Sequence, residues 1–383
     1  MGDDEELTID AAFCRELMYI RLPFYLRRNK KSAYGVVGFI IACILVHLTG
    51  NTAPNNASSS SLSSSQQKTT ISQLEAMPSS LSQPVGATVA SDGDASLPAS
   101  IDGNYGDTWS SRPLSPGPDV PMFWNVPKAG GNAIKFILSK CYGFILASES
   151  GAGHETENLE VVSIGGASFV NVNVVSLPGI AHAQSVNLAS SGLADVIFSP
   201  HIHEMAESVF TPANKGRMFT ILRHPVDRAV SIFYHEQAVN PNFAGMTVKE
   251  YFGGGGGVVE NNWMTRFLTG KKGGTLTPED LKMAMEILRR KVLIGLVDEI
   301  EESLRRFKSY MGWEEDKNRG ESDTGACERQ QFLTPSIQTM GEVTRGSEAW
   351  NLIVQQNRFD LQVYEYALNL FGEQKGMLDS LTK

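Results

Sequence analysis

The sequence predicts an α/β fold in which helices flank a mainly parallel sheet on both faces. Short apolar segments with the length of strands alternate along the chain with segments whose apolar residues recur at the helical period. Two segments, residues 120–134 and 218–234, each predict a strand, then a tight turn and then a helix. Ligands in such folds lie at the carboxyl ends of the strands, so both turns are expected at one functional edge.

Six segments have the apolar character and the length of strands: residues 120–126, 161–164, 169–175, 195–199, 218–222 and 292–296. Two glycines separate the second segment from the third, which predicts a hairpin. Helical spacing of apolar residues predicts helices after the first, fifth and sixth strands and over residues 359–371. A further helix is expected to start at Thr277, because Pro278 and two acidic residues follow it.

The N-terminal region predicts a single membrane anchor. Residues 33–48 form the longest apolar run, a cluster of Lys and Arg precedes it, and no Lys or Arg follows before Lys68. The positive-inside rule then makes residues 1–32 a cytoplasmic tail and residues 33–50 a transmembrane signal anchor. A cleaved signal peptide is the alternative interpretation. The long charged segment and the lack of a small-residue cleavage site favour the anchor.

Residues 51–118 are rich in Ser, Pro, Gly, Asn and Gln, and they predict a disordered stem before a globular domain over residues 119–383. Asn56-Ala57-Ser58 is a glycosylation sequon within this stem. The formal net charge of -9 argues against a broad nucleic-acid surface. Cys141 and Cys327 are the two cysteines that could pair in a lumen, and the sequence leaves their pairing open.

The first turn has the composition of an anion-binding loop. Pro127 stops the strand, and Gly130 and Gly131 allow the backbone to approach an anion closely. The next helix directs its free N–H groups at this point, and Lys128 adds a mobile positive charge. The nucleotide-binding pattern GxxxxGK[ST] is absent, and a purely structural turn is the alternative interpretation.

The second turn places Arg223 at the end of a strand, Pro225 at the start of a helix and Ser231 inside that helix. An Arg guanidinium can hold a phosphate through two parallel hydrogen bonds. The alternative is a structural ion pair between Arg223 and Asp227, with an exposed Ser231. Together, the two turns predict a ligand that carries phosphate at both ends.

The two turns, in this order, resemble the phosphate-binding motifs of the Golgi-type membrane carbohydrate sulfotransferases. Lys128-Ala-Gly-Gly is similar to the 5′-phosphosulfate loop of that family, and Arg223-His-Pro-x-x-Arg-x-x-Ser231 is similar to its 3′-phosphate motif. Further similar stretches lie at residues 262–268, 294–304 and 357–367. The resemblance covers residues 123–371 and points to the 2-O-sulfotransferases and the chondroitin-type sulfotransferases.

The resemblance implies a type II Golgi membrane enzyme with a lumenal, P-loop-like sulfotransferase fold. Such an enzyme transfers a sulfuryl group from 3′-phosphoadenosine 5′-phosphosulfate (PAPS) to a hydroxyl of a glycan or polysaccharide. The residues that the resemblance assigns to PAPS are Lys128, Ala129, Gly130, Gly131, Asn132, Ala133, Arg223 and Ser231. Arg266 is a further candidate contact of the donor or of the acceptor, with a structural ion pair as the alternative. Asn132 and Ala133 stand where the family usually has hydroxyl residues, which predicts weaker binding of the donor.

Sulfuryl transfer needs a base for the acceptor hydroxyl and a cation for the leaving phosphate oxygen. Lys128 fits the cation. His201 fits the base, since it aligns with the Gly-His-Val histidine of 2-O-sulfotransferase-like members and an imidazole accepts a proton at lumenal pH. His203 and Glu204 are rival bases, although a structural role is preferred for His203. No metal is expected, because no further ligand has matching spacing and the reaction needs none.

Two other classes of function are alternatives. A kinase or another nucleotide-dependent enzyme is opposed by the missing GxxxxGK[ST] pattern and by the lack of an evident set of carboxylates for Mg²⁺. A degenerate relative, or an anchored lectin-like protein that only binds glycans, is opposed by the presence of both Lys128 and Arg223. A lectin needs no nucleotide site.

Overall fold

The computed structural model describes residues 96–109, 119–255, 261–313, 321–332 and 343–381. The predicted tail, the predicted anchor, the sequon and the predicted stem up to residue 95 lie outside these ranges. Within the described ranges, no helix has the length and the apolar character needed to cross a bilayer.

Among the described residues, seven strands form one sheet: β1 (Val120–Trp124), β2 (Leu146–Ala147), β3 (Val161–Ile164), β4 (Ala167–Val170), β5 (Val196–Ser199), β6 (Gly216–Leu222) and β7 (Val292–Leu296). Their order across the sheet is β3-β4-β2-β5-β1-β6-β7. The β3–β4 pair is antiparallel, and every other neighbouring pair is parallel. The predicted α/β class with a mainly parallel sheet is confirmed.

The helices of the described residues are α1 (Ala99–Asn104), α2 (Gly131–Phe136), α3 (Leu177–Ser185), α4 (Leu188–Ser191), α5 (Ile202–Ser208), α6 (Pro225–Val239), α7 (Val248–Glu250), α8 (Trp263–Thr269), α9 (Pro278–Lys291), α10 (Ile300–Met311), α11 (Glu321–Phe332), α12 (Glu348–Gln356) and α13 (Arg358–Leu381). Two π-helical turns lie at Ile137–Cys141 and Tyr251–Gly255. The predicted start of α9 is confirmed, because the side chains of Thr277 and Asp280 each accept a hydrogen bond from the other residue's backbone N–H.

Two predicted strands end earlier than expected, and both end in the same way. Val126 N donates to Trp124 O at 3.1 Å, and Val172 N donates to Val170 O at 2.8 Å. The strands end at these tight turns although Val126 and Val172 are apolar. The sequence missed β2, because its two residues are too few to show a pattern.

Both faces of the sheet are buried. Along β1, Met122 and Trp124 pack into one apolar core, whereas Phe123 packs into the core on the opposite face. All residues of β1 are buried. This two-sided burial explains why the parallel strands are continuously apolar and do not alternate with polar residues.

Residues 96–109 fall within the predicted stem, yet they pack against the sheet. Ile101 and Tyr105 are fully buried, and Tyr105 Oη donates to a backbone carbonyl of α5 at 2.8 Å. The buried ammonium of Lys291 donates to the carbonyls of Asp102 and Tyr105 at 3.0 and 3.2 Å. The folded unit therefore extends to the N-terminal side of β1.

Cys141 and Cys327 form a disulfide, with their Cα atoms 5.7 Å apart. The bond joins the π-helical turn after α2 to α11. Cys141 is buried and packs against Ile137 and Leu304. The fold thus decides a pairing that the sequence left open, between residues that are 186 positions apart.

Candidate active site

The candidate residues lie at the edge of the sheet where three neighbouring strands, β5, β1 and β6, end. Asn125 N donates to Ser199 O at 3.1 Å, so β1 and β5 run side by side to their carboxyl ends. His201 follows β5, Lys128 lies in the turn after β1, and Arg223 follows β6. The topology brings both turns and the predicted base to one edge.

The turn after β1 has a strained backbone. Lys128 has a φ of +61°, in the left-handed region that side chains with a Cβ avoid. The other described non-glycine residues with positive φ are asparagines, which tolerate this region. Gly130 follows with a φ of +91° at the N-cap of α2. A Cβ on Gly131 would come within 2.2 Å of Asn125 Oδ1, so a larger residue at this position would displace the Asn125 side chain.

The residues of this loop differ in their accessibility. Ala129, Gly130, Gly131 and Ala133 are buried. Asn132 is exposed on the first turn of α2, where its amide N–H groups can donate hydrogen bonds to a ligand. The loop therefore offers backbone and one amide side chain, in place of the hydroxyl groups that the resemblance implies.

Arg223 and Lys128 are in direct contact. Arg223 Nη1 donates to Lys128 O at 3.0 Å, which fixes the second turn against the first. The Arg223 side chain is almost fully buried, with 3% of its surface exposed, and Lys128 is half-buried. Burial lowers the pKa of both cations, against the opposing charge of Glu236 near Lys128. Two partly desolvated cations at one strand edge are typical of an anion-binding site.

Acidic and aromatic side chains surround Arg223. Asp227, Asp298 and Tyr364 oppose the lowering of its pKa by burial. Burial raises the pKa of the Tyr364 hydroxyl, and the two carboxylates raise it further. The sequence-based assignment missed Asp298 and Tyr364. Asp298 lies two residues after the end of β7, whose carboxyl end lies beside that of β6. This position in the sequence could have indicated a site residue.

The neighbouring His224 is held between two aromatic rings. Its ring stacks on Trp350 at a centroid distance of 5.8 Å and meets Tyr364 edge-on at 5.6 Å. Burial lowers the pKa of His224, while Asp227 and Asp298 oppose this effect. The contacts of His224 pack α12 and α13 against the start of α6 beside Arg223.

The second arginine of the Arg-His-Pro-x-x-Arg motif lies inside the protein. Arg228 is fully buried, and its Nη2 lies 3.7 Å from Asp360 Oδ2. Its guanidinium also lies over the ring of Trp263, 5.8 Å from the centroid. Ser231, the last residue of the motif, is half-buried near the middle of α6. Arg223 and Arg228 thus have different surroundings although one motif contains them both.

His201 has polar contacts at both ring nitrogens. Its Nε2 lies 3.2 Å from Val175 O, and its Nδ1 lies 3.3 Å from Lys272 Nζ. Glu204 Oε2 is 3.8 Å from the same Nδ1, and Glu204 also forms an ion pair with Lys272. Burial lowers the pKa of His201, Lys272 lowers it further, and Glu204 and the Val175 carbonyl oppose them. A neutral His201 is therefore favoured in this arrangement.

Two further predicted residues are engaged in local contacts. His203 Nε2 lies 2.8 Å from Leu268 O, which joins α5 to α8 and fits the structural role preferred for this residue. Arg266 Nε donates to Asn261 O at 2.9 Å, and its Nη1 donates to Lys271 O at 3.2 Å. Arg266 therefore connects the two chain segments that flank α8.

Across the described parts of the chain, no group of three or more His, Cys, Asp or Glu residues is arranged to hold a metal ion. In comparisons with known proteins, the chain matches no protein-family model and no curated protein.

Proposed function

We propose that this chain is a PAPS-dependent carbohydrate sulfotransferase that transfers a sulfuryl group to a hydroxyl of a glycan. The contact between Arg223 Nη1 and Lys128 O carries the proposal, because it joins two cationic turns at the ends of adjacent strands. Both cations are partly desolvated, so an anionic ligand between them would compensate their burial. PAPS has phosphate groups at both ends and fits a site with two such turns.

In the proposed reaction, the acceptor oxygen forms a bond to sulfur while the bond from sulfur to the phosphate oxygen breaks. The hydroxyl proton passes to a base, for which His201 is proposed. Lys128 stabilises the charge on the departing phosphate oxygen. Residues 129–133 hold the 5′ end of the donor, and Arg223 and Ser231 hold its 3′-phosphate. Arg266 remains a proposed donor contact that would have to leave its present partners.

The proposal includes a sulfotransferase fold, a type II anchor over residues 33–50 and a lumenal location in the Golgi. The disulfide between Cys141 and Cys327 supports an oxidising compartment, since such bonds are rare in cytosolic proteins. The α/β architecture with its mainly parallel sheet is compatible with the proposed fold.

The test is a thermal unfolding experiment on the full chain in detergent with 3′,5′-ADP or with ATP. We expect 3′,5′-ADP alone to raise the midpoint, because a ligand at 100 times its Kd stabilises the native state by about 2.7 kcal/mol. The Lys128→Met variant should lose this response. Lys215→Met is the matched control: Lys215 is also half-buried but precedes β6 at the opposite edge of the sheet. A response to ATP, or an unchanged response in Lys128→Met, would contradict the proposal.

A second variant separates loss of binding from loss of folding. Lys128 has a φ of +61°, which glycine adopts without strain. Lys128→Gly should therefore keep the midpoint of the ligand-free protein equal or higher, and it should still lose the response to 3′,5′-ADP. The transfer of labelled sulfate from PAPS to a mixture of glycans should fall in parallel.

A non-catalytic glycan-binding protein is the second candidate, and the surroundings of His201 favour it. The Nδ1 of His201 contacts an ammonium group in the present arrangement, so the proposed base is covered. This candidate predicts glycan binding without a response to 3′,5′-ADP and without sulfate transfer. The same experiments therefore decide between the two candidates.

A further inference from the structure

The geometry of His201 assigns a role to each of its ring nitrogens. The carbonyl oxygen of Val175 can only accept a hydrogen bond, so Nε2 at 3.2 Å carries the proton of the neutral imidazole. The lone pair that can accept a proton is then on Nδ1. If His201 acts as a base, the proton must arrive at Nδ1.

Lys272 covers that lone pair. Its Nζ lies 3.3 Å from Nδ1, so the ammonium donates a hydrogen bond to it. The same ammonium forms an ion pair with Glu204 and lies over the ring of Phe267, 5.4 Å from the centroid. A nitrogen that accepts from an ammonium is not available to a hydroxyl group. The base and its cover form one cluster of His201, Lys272 and Glu204.

The segment that carries Lys272 is held in place at the preceding residue, Lys271. Lys271 Nζ pairs with Asp280 at 2.8 Å, and Lys271 O accepts from Arg266. The side chain of Lys272 is 39% exposed, and Gly273 and Gly274 follow it. Lys272 can therefore move towards solvent while the start of its segment stays in place.

Resting on the proposed function, we propose that Lys272 is a latch on His201 that an anionic group of the acceptor opens. A carboxylate or sulfate on the glycan would draw the Lys272 ammonium away from Nδ1. The hydroxyl proton then transfers to Nδ1 as the acceptor oxygen bonds to sulfur. Glu204, 3.8 Å from Nδ1, would face the resulting imidazolium. Lys272 is in this account a positioning residue that makes the base depend on an acidic acceptor.

The charges around His201 have the signs that a latch requires. The charged groups that face its ring are Lys272, from the segment after α8, and Glu204, from α5; the Val175 carbonyl and the Phe267 ring complete its surroundings. Lys272 lowers the pKa of His201 and Glu204 raises it. Withdrawal of Lys272 therefore raises the proton affinity of Nδ1 when the acceptor arrives.

The experiment is an NMR titration of the His201 ring in the full chain with ¹³C-labelled histidine, assigned through His201→Gln. It needs neither PAPS nor turnover, so its result is independent of the 3′,5′-ADP experiment. Lys272→Met should raise the titration midpoint of His201 by about one pH unit. Lys271→Met, the matched control one residue away, should leave it unchanged. Glu204→Gln should lower it, which gives a second variant with the opposite sign.

The latch itself is tested with three probes, a hyaluronan hexasaccharide, its sulfated form and neutral maltohexaose. An acidic probe should raise the His201 midpoint in the wild type. A response to the unsulfated form assigns the opening to a carboxylate, whereas a response to the sulfated form alone assigns it to sulfate. Maltohexaose should have no effect, and Lys272→Met should no longer respond to any probe. An equal response to the neutral probe, or an unchanged midpoint in Lys272→Met, would overturn the proposal.

Once transfer is measured, Lys272→Met should also move the acid limb of the pH profile of kcat/KM to higher pH. The reason is that His201 must be neutral to act as a base, and its pKa in the free variant is higher. A purely structural role of Lys272 would lower activity without moving this limb.

Discussion

Asn262 and Asp360 cap each other's helices. Asn262 Oδ1 accepts hydrogen bonds from Phe359 N at 2.8 Å and Asp360 N at 3.2 Å, at the start of α13. The Asp360 carboxylate accepts from Met264 N at 2.9 Å and Thr265 N at 2.8 Å, at the start of α8. Both side chains are buried. This reciprocal clamp fixes α8, which precedes Lys272, to α13, which carries Tyr364.

The first prediction concerns this clamp. Asn262→Ala should lower the free energy of unfolding by about 1–3 kcal/mol, because it leaves two buried N–H groups without their acceptor. Ser347→Ala is the control, since Ser347 caps only its own helix, α12, and its loss should cost about 1 kcal/mol. Urea denaturation measures both. An Asn262 variant with the same free energy of unfolding as the wild type would show that the clamp has no role.

We expect Arg228 to stabilise the folded protein. It is fully buried beside the Asp360 carboxylate, so Arg228→Met leaves a buried charge without its cation and should cost about 3–5 kcal/mol. The double variant with Asp360→Asn should cost less than the sum of the two single variants. Additive losses in urea denaturation would argue that the two side chains act independently.

The segment before β1 should be essential for folding. Ile101 is fully buried, so Ile101→Ala should lower the free energy of unfolding by about 2–5 kcal/mol. Leu177→Ala is the matched control, because Leu177 is 53% exposed and its truncation should change stability by less than about 0.5 kcal/mol. Equal effects of the two substitutions would mean that residues 96–109 do not belong to the folded unit.

Glu302 should make the free energy of unfolding depend on pH in the acid range. Hydrogen bonds from Arg305 and Arg306 lower its pKa from 4.5 to about 2. A carboxyl group whose pKa is lower in the folded state contributes stability above its unfolded pKa and loses it as pH falls through the folded pKa. Glu302→Gln should therefore destabilise the protein at pH 7 and progressively less as pH falls from 4.5 towards 2. Denaturation measured across this pH range checks the trend, and an effect of Glu302→Gln that does not change with pH would contradict it.

The disulfide predicts that two peptides stay covalently linked after proteolysis. Proteolysis without reductant should release Cys141 and Cys327 in one linked product, detected by mass spectrometry. Cys327→Ala should cost about 2–5 kcal/mol of stability, because the bond closes a long loop in the unfolded chain. The double variant with Cys141→Ala should cost little more, since either change removes the bond. Free thiols at both positions in unreduced protein would contradict the pairing.

Local pattern alone predicted most of the described strands and the helices that follow them. The two-residue β2 strand was missed because so short a segment shows no pattern. The early ends of β1 and β4 were missed because they depend on single backbone hydrogen bonds. Residues 96–109 were assigned to the stem from their composition, although Ile101 and Tyr105 are buried in the main core.

The sequence by itself determined the α/β class, the order of the elements and the two turns that carry Lys128 and Arg223. These features follow from neighbouring residues, through apolar periodicity, glycine and proline. Only the tertiary structure decided that Arg223 binds the Lys128 carbonyl, that Arg228 faces Asp360 and that Lys272 covers His201. Each of these contacts joins polar groups from separate elements, and their partners are set by how the helices pack on the sheet.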